Sequence, residues 1–453
     1  MKKILLILLV SLFIFSLAIT AMAKVELTFW AYPYFNFEDK ESGSLESRII
    51  SEFEEIYPDV EITLEMLSSA GDHEKIEMAI VTGTGPDILQ HGDVKVMSYA
   101  ASGLLSDFED TIDAEEKADY WPGVLETAMW DGKVYSCLIS ADGSPGMEVN
   151  RFVVEKADAM DLLPLNNENR IWASLEDFKK FCLKIADAKI PDTYAFALHF
   201  MDSNCQHSYI KWMHRTFGAV PFVLEDGKYR CTMNSPESIE GLGWYLDLYN
   251  TPGVGMPGPE SMGVDFYTKY WYGGNLAFTM AGGSLGGLAA TRNDPIVAKT
   301  CDEILVAIPT KEGIKPPTDI GERTLGVFKS TPEKEKFAKL FCEFYTTRPY
   351  LWEESKMACP PRFSSFDPDS PMYQTSPFPA GDTEVEYALK WADYMQVIDS
   401  FTKVPVYQQY RSTYASIMQG VFSGELEPKE GLDILTEKIN KLLDEYYEEF
   451  PVK

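Results

Sequence analysis

The spacing of apolar residues near the start of the chain predicts a strand followed by a helix. Val25–Trp30 alternates between apolar and polar positions, which is typical of a half-buried β-strand. Between residues 45 and 57 the apolar side chains fall on one helical face. Ser44 can cap the start of that helix, and Pro58 prevents it from continuing.

The alternating pattern of a strand and the spacing of a helical face recur in the next stretch. Residues 60–64 alternate again, and a helical pattern that starts at Asp72 ends at Gly83, because glycine readily adopts the positive φ of a helix terminus. Pro86 disfavours helix at the residue before it, and the apolar pair Ile88–Leu89 fits a short buried strand. The order β, α, β, α, β predicts an α/β fold with a mostly parallel sheet flanked by helices.

Polar side chains follow the third of these strands directly. Gln90, His91 and Asp93 come immediately after Ile88–Leu89. In an open α/β sheet the ligand crevice lies outside the carboxyl ends of the strands, so we expect these residues near a bound ligand. Asp93 could equally serve as a helix cap.

Length and composition indicate more than one such unit. A chain of 453 residues with 45% apolar content has material for two cores of about 150–200 residues each. Ser174 can cap a helix in the second half, and residues 432–450 carry apolar side chains on one helical face. We therefore expect two lobes, with the last helix closing the second one.

The first 23 residues have the pattern of a secretory signal peptide. Lys2 and Lys3 precede the apolar run Ile4–Ile19, and Ala21-Met22-Ala23 offers small residues for cleavage before Lys24. The alternative is a membrane anchor, although the run falls short of the roughly 20 residues that a spanning helix needs. No cysteine stands at residue 24, so we predict a periplasmic or secreted protein without a lipid anchor.

Charge narrows the range of partners. The chain has 70 acidic and 40 basic residues and a net charge of −30. Such a surface repels nucleic acid and anionic lipid, so we expect neither as a partner and no stable insertion into a membrane. The charge also favours a soluble monomer.

Cysteine and histidine spacing gives no sign of a metal or a cofactor. The seven cysteines include neither a CxxC pair nor zinc-ligand spacing. Cys182 and Cys342 lie on the apolar faces of predicted helices, so we expect most cysteines to be core thiols. His207 and His214 could share a helix face, but no HExxH or other ligand spacing accompanies them. We predict no metal and no cofactor.

Short motifs along most of the chain resemble one known family, the family 1 extracellular solute-binding proteins. These proteins are sugar receptors of bacterial ABC importers. The Pro86-Asp87 segment and Trp271–Phe278 are the most specific motifs, while Cys137 and Val149 stand where the family usually has proline and tyrosine. The other motifs are Val25–Trp30, Gly103–Phe108, Asp131–Ser136, Asn150 with Phe152, Asn234–Glu237, Pro309–Gly313 and Cys359–Arg362.

The resemblance implies the two-lobed periplasmic-binding-protein fold of type II, with a mostly parallel sheet flanked by helices in each lobe. Residues 1–23 would be the signal peptide, residues 24–140 with 309–358 the first lobe, and residues 141–308 with 359–453 the second. The chain would cross between the lobes near Ser140, Pro309 and Ala358, and these crossings would act as a hinge. Ligand binding would then proceed by closure of the lobes around the ligand.

The resemblance also suggests ligand contacts. The family carries them after its first strand, at an aspartate near Asp93 and on second-lobe aromatic residues, and it often has a stacking tryptophan where this chain has Gly282–Leu285. Trp271, Tyr272 or Arg292 could replace that contact, whereas core packing is the alternative role of Trp212 and Trp271. The predicted ligand-binding residues are Trp30, Tyr32, Tyr34, Asp72, Gln90, His91, Asp93, Asp142, Tyr209, Trp212, Trp271, Ser284 and Arg362.

Two other function classes stay open. Gly282-x-Ser284-x-Gly286 fits a nucleophile elbow, but no histidine follows His214 to complete a triad in that order. A glycosidase needs only two well-placed carboxylates, which this acidic chain could supply. A receptor for a peptide or another polar solute is the third possibility. We predict a receptor that binds a saccharide, more readily an oligosaccharide, and passes it unaltered to the permease subunits of an ABC transporter.

Overall fold

A computed structural model describes the chain from residue 24 to residue 450, with gaps. The predicted signal peptide lies outside the described residues. At residues 72–74, 93–94, 142–143, 206–208, 318–322, 396–398 and 408 the structure describes the backbone but not the side chains. The described ranges are 24–33, 42–68, 72–121, 123–143, 146–201, 206–280, 288, 291–292, 294–355, 360–378, 380–387, 396–398 and 404–450.

The described strands and helices follow one another from Val25 to Glu449. The first part contains β1 (Val25–Ala31), α1 (Ser44–Ile56), β2 (Val60–Met66), α2 (Asp72–Thr82), β3 (Ile88–Gly92), α3 (Asp93–Ala101), α4 (Ala114–Asp119), α5 (Val124–Thr127), β4 (Met129–Trp130), β5 (Lys133–Val134) and β6 (Ser136–Gly143). The middle part contains β7 (Met147–Asn150), α6 (Arg151–Lys156), α7 (Leu175–Asp187), α8 (Gln206–Met213), β8 (Phe222–Glu225), β9 (Lys228–Cys231), α9 (Pro236–Tyr249), α10 (Val264–Tyr272), β10 (Phe278–Thr279) and β11 (Glu303–Val306). The last part contains β12 (Pro317–Val327), α11 (Pro332–Thr346), α12 (Leu351–Ser355), β13 (Gln396–Ile398), α13 (Tyr407–Phe422) and α14 (Pro428–Glu449).

The first lobe is built on a sheet in the order β13-β12-β3-β1-β2. β1 pairs in parallel with β2 and β3, as the order β, α, β, α, β predicts. β12 adds an antiparallel partner to β3 and also pairs with β6. Helix α11 packs its aromatic residues on β1 and α1, with Phe341 ring-to-ring distances of 5.4 Å to Phe29 and 5.3 Å to Phe53. Together these contacts form the first hydrophobic core.

The second lobe has a smaller sheet, in the order β10-β7-β11. Both outer strands pair antiparallel with β7, which differs from the mostly parallel arrangement that we predicted for this lobe. Since β7 leaves the first lobe and β11 runs back towards it, neighbouring strands point in opposite directions. One face of the sheet packs on a core that includes Trp212, stacked on Phe278 at 5.9 Å. The predicted closing helix is confirmed as α14, which buries Leu432, Leu435, Ile439 and Leu443 in this core.

The return of the chain to the second lobe comes later than we predicted. After residue 358 the chain stays with the first lobe, because Phe378 and Val385 belong to its core. Phe378 packs on Trp352 with ring centroids 5.8 Å apart, and β13 pairs with β12 in the first sheet. Val404 is the next residue in the second core. We therefore propose that the third crossing lies after β13, whereas we had predicted it near Ala358.

The described cysteines fit the prediction of core thiols. Cys137, Cys182, Cys231, Cys301 and Cys342 are all buried and unpaired, whereas Cys205 and Cys359 lie outside the described residues. Burial raises the pKa of the Cys231 thiol to about 12, so it stays protonated. Among the described residues, no helix combines the length and the apolar character that a membrane span requires.

Candidate functional site

The carboxyl ends of β1 and β3 meet at one edge of the first sheet. The backbone N–H of Tyr32, just past β1, donates to the carbonyl oxygen of Gln90 at 3.1 Å. The Tyr32 ring lies 4.8 Å from the imidazole of His91, between ring centroids. Two predicted ligand-binding residues are thus brought together, and both stay partly exposed.

Helix α3 starts at this same edge. Gly92 precedes it in an extended conformation (φ −63°, ψ 149°) and supplies no side-chain cap. The first turn of an α-helix has N–H groups without helical partners, and these suit hydroxyl or anionic oxygen acceptors. Gly326 lets α3 approach the sheet, because a Cβ atom there would lie 2.6 Å from Cγ1 of Val96.

Arg323 is a residue of this edge that the sequence did not reveal. In β12 it lies opposite Gly92 of β3 and opposite Ser140 of β6, with an irregularity in register between Arg323 and Thr324. Its side chain is mostly buried. Asp142 comes two residues after Ser140 on β6, opposite Gly321. The register therefore places Arg323 beside the end of β3 and next to β6.

Strand β10 of the second lobe ends shortly before the predicted contact Ser284. Thr279 is the last residue of this strand, and its hydroxyl is hydrogen-bonded to the hydroxyl of Tyr267. The chain then continues into residues 281–287, which hold the predicted contact Ser284 and lie outside the described residues.

A pair of buried carboxyl groups lies on the same sheet. Thr279 and Leu305 are both opposite Glu148, and Glu303 is two residues before Leu305 on β11. Because side chains alternate along a strand, Glu148, Thr279 and Glu303 share one face of the sheet. Burial raises the pKa of Glu303 well above its ordinary value, and the charge of Glu148 raises it further.

Several predicted contacts are instead used inside the first lobe. Gln90 is fully buried, and its Nε2 donates to the hydroxyl of Tyr345 at 3.1 Å. Trp30 is buried under Lys75, whose Nζ lies 4.7 Å from the ring centroid. Arg362 is buried against Tyr120, donating from Nη2 to its hydroxyl at 2.7 Å. Such contacts give these side chains structural roles.

The predicted second-lobe aromatics lie in hydrophobic clusters. Tyr209 and Trp212 have no exposed surface. The Tyr209 hydroxyl accepts a hydrogen bond from the backbone N–H of His199 at 3.1 Å. Trp271 is buried in a smaller cluster with Tyr267 and Leu276. For Trp212 and Trp271 this geometry favours the core-packing alternative.

Five predicted contacts stay predictions. Tyr34 and Ser284 lie outside the described residues. Asp72 begins α2, Asp93 begins α3 and Asp142 lies in β6, but the structure does not describe their side chains. Asp93 is the first residue of its helix, with Gly92 at the cap position.

The part of the chain that the structure describes forms no cluster of side chains that could hold a metal ion, and His214 lies in the core of the second lobe. No group of three or more His, Cys, Asp or Glu side chains there is arranged to hold a metal ion. His214 is fully buried, with Nδ1 2.8 Å from the Ser238 hydroxyl and Nε2 3.0 Å from the Tyr414 hydroxyl. Burial lowers its pKa to about 3, so it is neutral and structural.

The edge therefore brings together the Tyr32 ring, the His91 imidazole and the start of α3, with Arg323 opposite Gly92 on the neighbouring strand. The family of bacterial extracellular solute-binding proteins matches residues 38–350 of this chain. The chain belongs to this family. The resemblance inferred from the motifs is confirmed, and the protein is a solute-binding protein.

Solved structures show the same two-lobed fold. An ABC substrate-binding protein from Listeria monocytogenes, in complex with cycloalternan, has a TM-score of 0.71 at 18% identity, covering 93% of this chain and 99% of its own. A sugar-binding protein from Xanthomonas citri also reaches 0.71 at 16% identity, with 95% and 100% coverage. A Mycobacterium tuberculosis protein in complex with glycerophosphocholine reaches 0.69 at 18% identity, with 93% and 99% coverage. At these identities the likeness shows the fold alone.

Proposed function

We propose that this protein is the substrate-binding component of an ABC importer, and that it captures a saccharide, more readily an oligosaccharide, between its lobes. Closure about the hinge holds the sugar, which is then passed to the permease subunits without chemical change. After removal of residues 1–23 as a signal peptide, the protein would act in the periplasm or outside the cell as a monomer.

The main support is the edge where β1, β3, β6 and β12 meet the start of α3. Sugars present C–H faces that pack on aromatic rings and hydroxyl groups that need fixed donors and acceptors. Tyr32 supplies the ring, while His91 and Arg323 supply polar groups. Tyr34, Asp72, Asp93 and Asp142 would complete the first-lobe contacts, with Ser284 opposite.

The ligands of similar proteins support a sugar and also suggest a second candidate. Cycloalternan is bound by the Listeria protein, and maltose by a Thermotoga maritima protein of the same fold. Glycerophosphocholine is bound by the Mycobacterium protein, which has a similar TM-score. A polar solute other than a sugar is therefore the alternative ligand class.

A thermal-shift screen would test the proposal. The panel would contain maltose, maltotriose, cycloalternan, tagatose, ribitol, glycerophosphocholine and a tetrapeptide. Binding to the folded state alone at 100 times the dissociation constant stabilises it by about 2.7 kcal/mol, so a true ligand should raise Tm clearly. We expect the largest increase with an oligosaccharide, and chromatography after incubation should recover that sugar at its original length.

Substitutions would tie binding to the proposed edge. Tyr32→Ala should weaken binding by roughly 0.5–1.5 kcal/mol, the range for a lost aromatic contact. Phe450→Ala, at an exposed aromatic residue after α14, serves as the matched control and should bind normally. A shift with glycerophosphocholine alone would favour the second candidate. Shortened sugar products would identify a glycosidase instead.

A further inference from the structure

Strand β11 and the residues just after it are shared by the two hydrophobic cores. Ile304, Val306 and Ile308 lie in the second core, whereas Leu305 and Ala307 lie in the first. Alternate side chains of a strand point to opposite faces, so this stretch is sandwiched between the lobes. Any movement of one lobe against the other must therefore be accommodated around β11.

The outer edge of β11 is covered by polar groups from elsewhere in the chain. On the other edge the strand pairs with β7. The N–H of Leu305 donates to Oε2 of Glu384 at 2.7 Å, and its carbonyl oxygen accepts from Nη1 of Arg170 at 2.8 Å. The N–H of Ala307 donates to the carbonyl oxygen of Arg170 at 3.0 Å. These bonds replace the neighbouring strand that an exposed sheet edge would otherwise attract.

Arg170 and Glu384 also hold each other. Nη1 of Arg170 lies 2.5 Å from Oε2 of Glu384, and both side chains are buried. The guanidinium carbon of Arg170 lies 3.7 Å from the ring centroid of Tyr387. Arg170 itself has a φ of 48°, a conformation that is uncommon for a residue other than glycine. Its backbone is thus set so that both its carbonyl and its side chain face β11.

A helical turn at residues 383–387, preceded by Asp382, makes a second attachment. Oδ2 of Asp382 accepts from Nε of Arg292 at 3.1 Å, and Nη2 of Arg292 donates to the carbonyl oxygen of Glu303 at 3.2 Å. Val385 of the same turn lies in the first core. One side of the turn therefore packs in the first lobe. On its other side Glu384 contacts the edge of β11 directly, and Asp382 contacts it through Arg292.

The second attachment continues to the start of α6. Nη1 of Arg292 lies 2.7 Å from Oδ1 of Asp302, and Oδ2 of Asp302 lies 2.8 Å from Nε of Arg151 at the start of α6. Arg292 follows the predicted ligand stretch Gly282–Leu285 closely in sequence. The second attachment therefore connects Asp382 to Arg151 through Arg292 and Asp302.

We propose that Arg170, Arg292, Asp382, Glu384 and Tyr387 form an edge clasp that fastens β11 of the second lobe to the first lobe. With the clasp in place, the lobes rotate relative to each other around β11, and the strand keeps its conformation. These residues position the strand and are not themselves ligand contacts. The pivoting step rests on the proposed function, whereas the fastening of β11 does not.

Hydrogen exchange of the ligand-free protein tests the clasp. In the Asp382→Asn and Glu384→Gln double variant, the amides of Leu305 and Ala307 should exchange at least about tenfold faster, because their acceptors are no longer held by ion pairs. Amides in α14 serve as the internal reference and should not change. Glu240→Gln is the matched control, since it removes an exposed ion pair with Lys311, just past β11.

Calorimetry supplies a second readout. The wild-type protein should unfold in one cooperative transition, and the double variant should separate it into two, one for each lobe. Asp382→Asn alone keeps the test available if the double variant does not fold. Unchanged exchange at Leu305 and Ala307, or equal acceleration in Glu240→Gln, would overturn the clasp. Because no sugar is used, failure of the ligand screen leaves this result intact.

Discussion

Two acidic residues near β11 are both buried but have opposite electrostatic surroundings. Glu384 lies against the guanidinium of Arg170 and accepts a hydrogen bond from the strand. Glu303, on the strand itself, has a second carboxyl group, Glu148, as a diagonal neighbour on the same face of the sheet. Neither carboxylate oxygen of Glu303 has a hydrogen-bond partner that meets normal geometry.

The difference shows that one short strand can be fixed by an ion pair and also carry a carboxyl group that is costly to ionise. A buried ion pair is costly to break, because removal of one partner leaves an uncompensated charge. A buried carboxyl group beside another carboxyl avoids its cost by staying protonated. β11 is therefore secured along its backbone edge, while one of its side chains favours the neutral form.

Glu384→Leu should have the largest effect on stability. It leaves Arg170 buried without its partner and removes the acceptor of the Leu305 N–H, so the free energy of unfolding should fall by about 3–5 kcal/mol. Chemical denaturation monitored by circular dichroism would measure the change.

Its controls separate charge from packing. The Arg170→Leu and Glu384→Leu double variant should recover part of the loss, because no isolated charge stays buried. Glu240→Gln, in an exposed pair, should cost no more than about 1 kcal/mol. A double variant that is as unstable as the two single variants combined would show that the ion pair is not what stabilises β11.

Glu303→Gln should have the opposite sign. Its pKa is raised in the folded state, so its favourable contribution is complete below the ordinary glutamate pKa and is lost as pH rises through the folded value. The neutral amide avoids that loss. At pH 8 the variant should therefore be more stable than wild type by about 1–3 kcal/mol, and the difference should vanish near pH 4.

Unfolding measured at several pH values would check this result. Glu26→Gln, on the exposed face of β1, is a matched control and should show no comparable dependence. If Glu303→Gln lost stability at pH 8, the carboxylate of Glu303 would have to be ionised and compensated in the folded protein.

The sequence predicted the elements whose apolar residues repeat regularly. β1, β2, β3 and the helices between them follow the periods of Val25–Trp30 and the next sixty residues, and α14 follows from its apolar face. β12 was missed because Pro317, Gly321 and the charged residues near them interrupt any alternation. The packing of Phe378 and Val385 in the first core was missed, because few apolar residues in that segment reveal which core it joins.

Contacts between distant residues limited the prediction of the site. Gln90 follows a strand as a ligand-binding residue would, but Tyr345 holds its side chain inside the first lobe. Arg362 is likewise held inside the first lobe, by its hydrogen bond to the Tyr120 hydroxyl. Arg323 reaches the site only through the register of β12 with β3 and β6, which local periodicity does not reveal. The proximity of Tyr32 and His91 was predictable, because both lie at the carboxyl ends of strands that the periodicity identified, whereas their contact with a ligand stays a prediction.

His214 provides the third and smallest test, a buried titratable group whose polar partners are satisfied. Its folded pKa of about 3 lies below the ordinary histidine value, so its contribution is present above that value and is lost as pH falls towards 3. Between pH 7 and pH 5 this amounts to at most about 2 kcal/mol. His214→Gln should flatten that part of the stability profile, whereas Tyr414→Phe removes one partner, keeps the imidazole and should retain the slope. Equal slopes for wild type and His214→Gln would mean that His214 is charged in the folded second lobe.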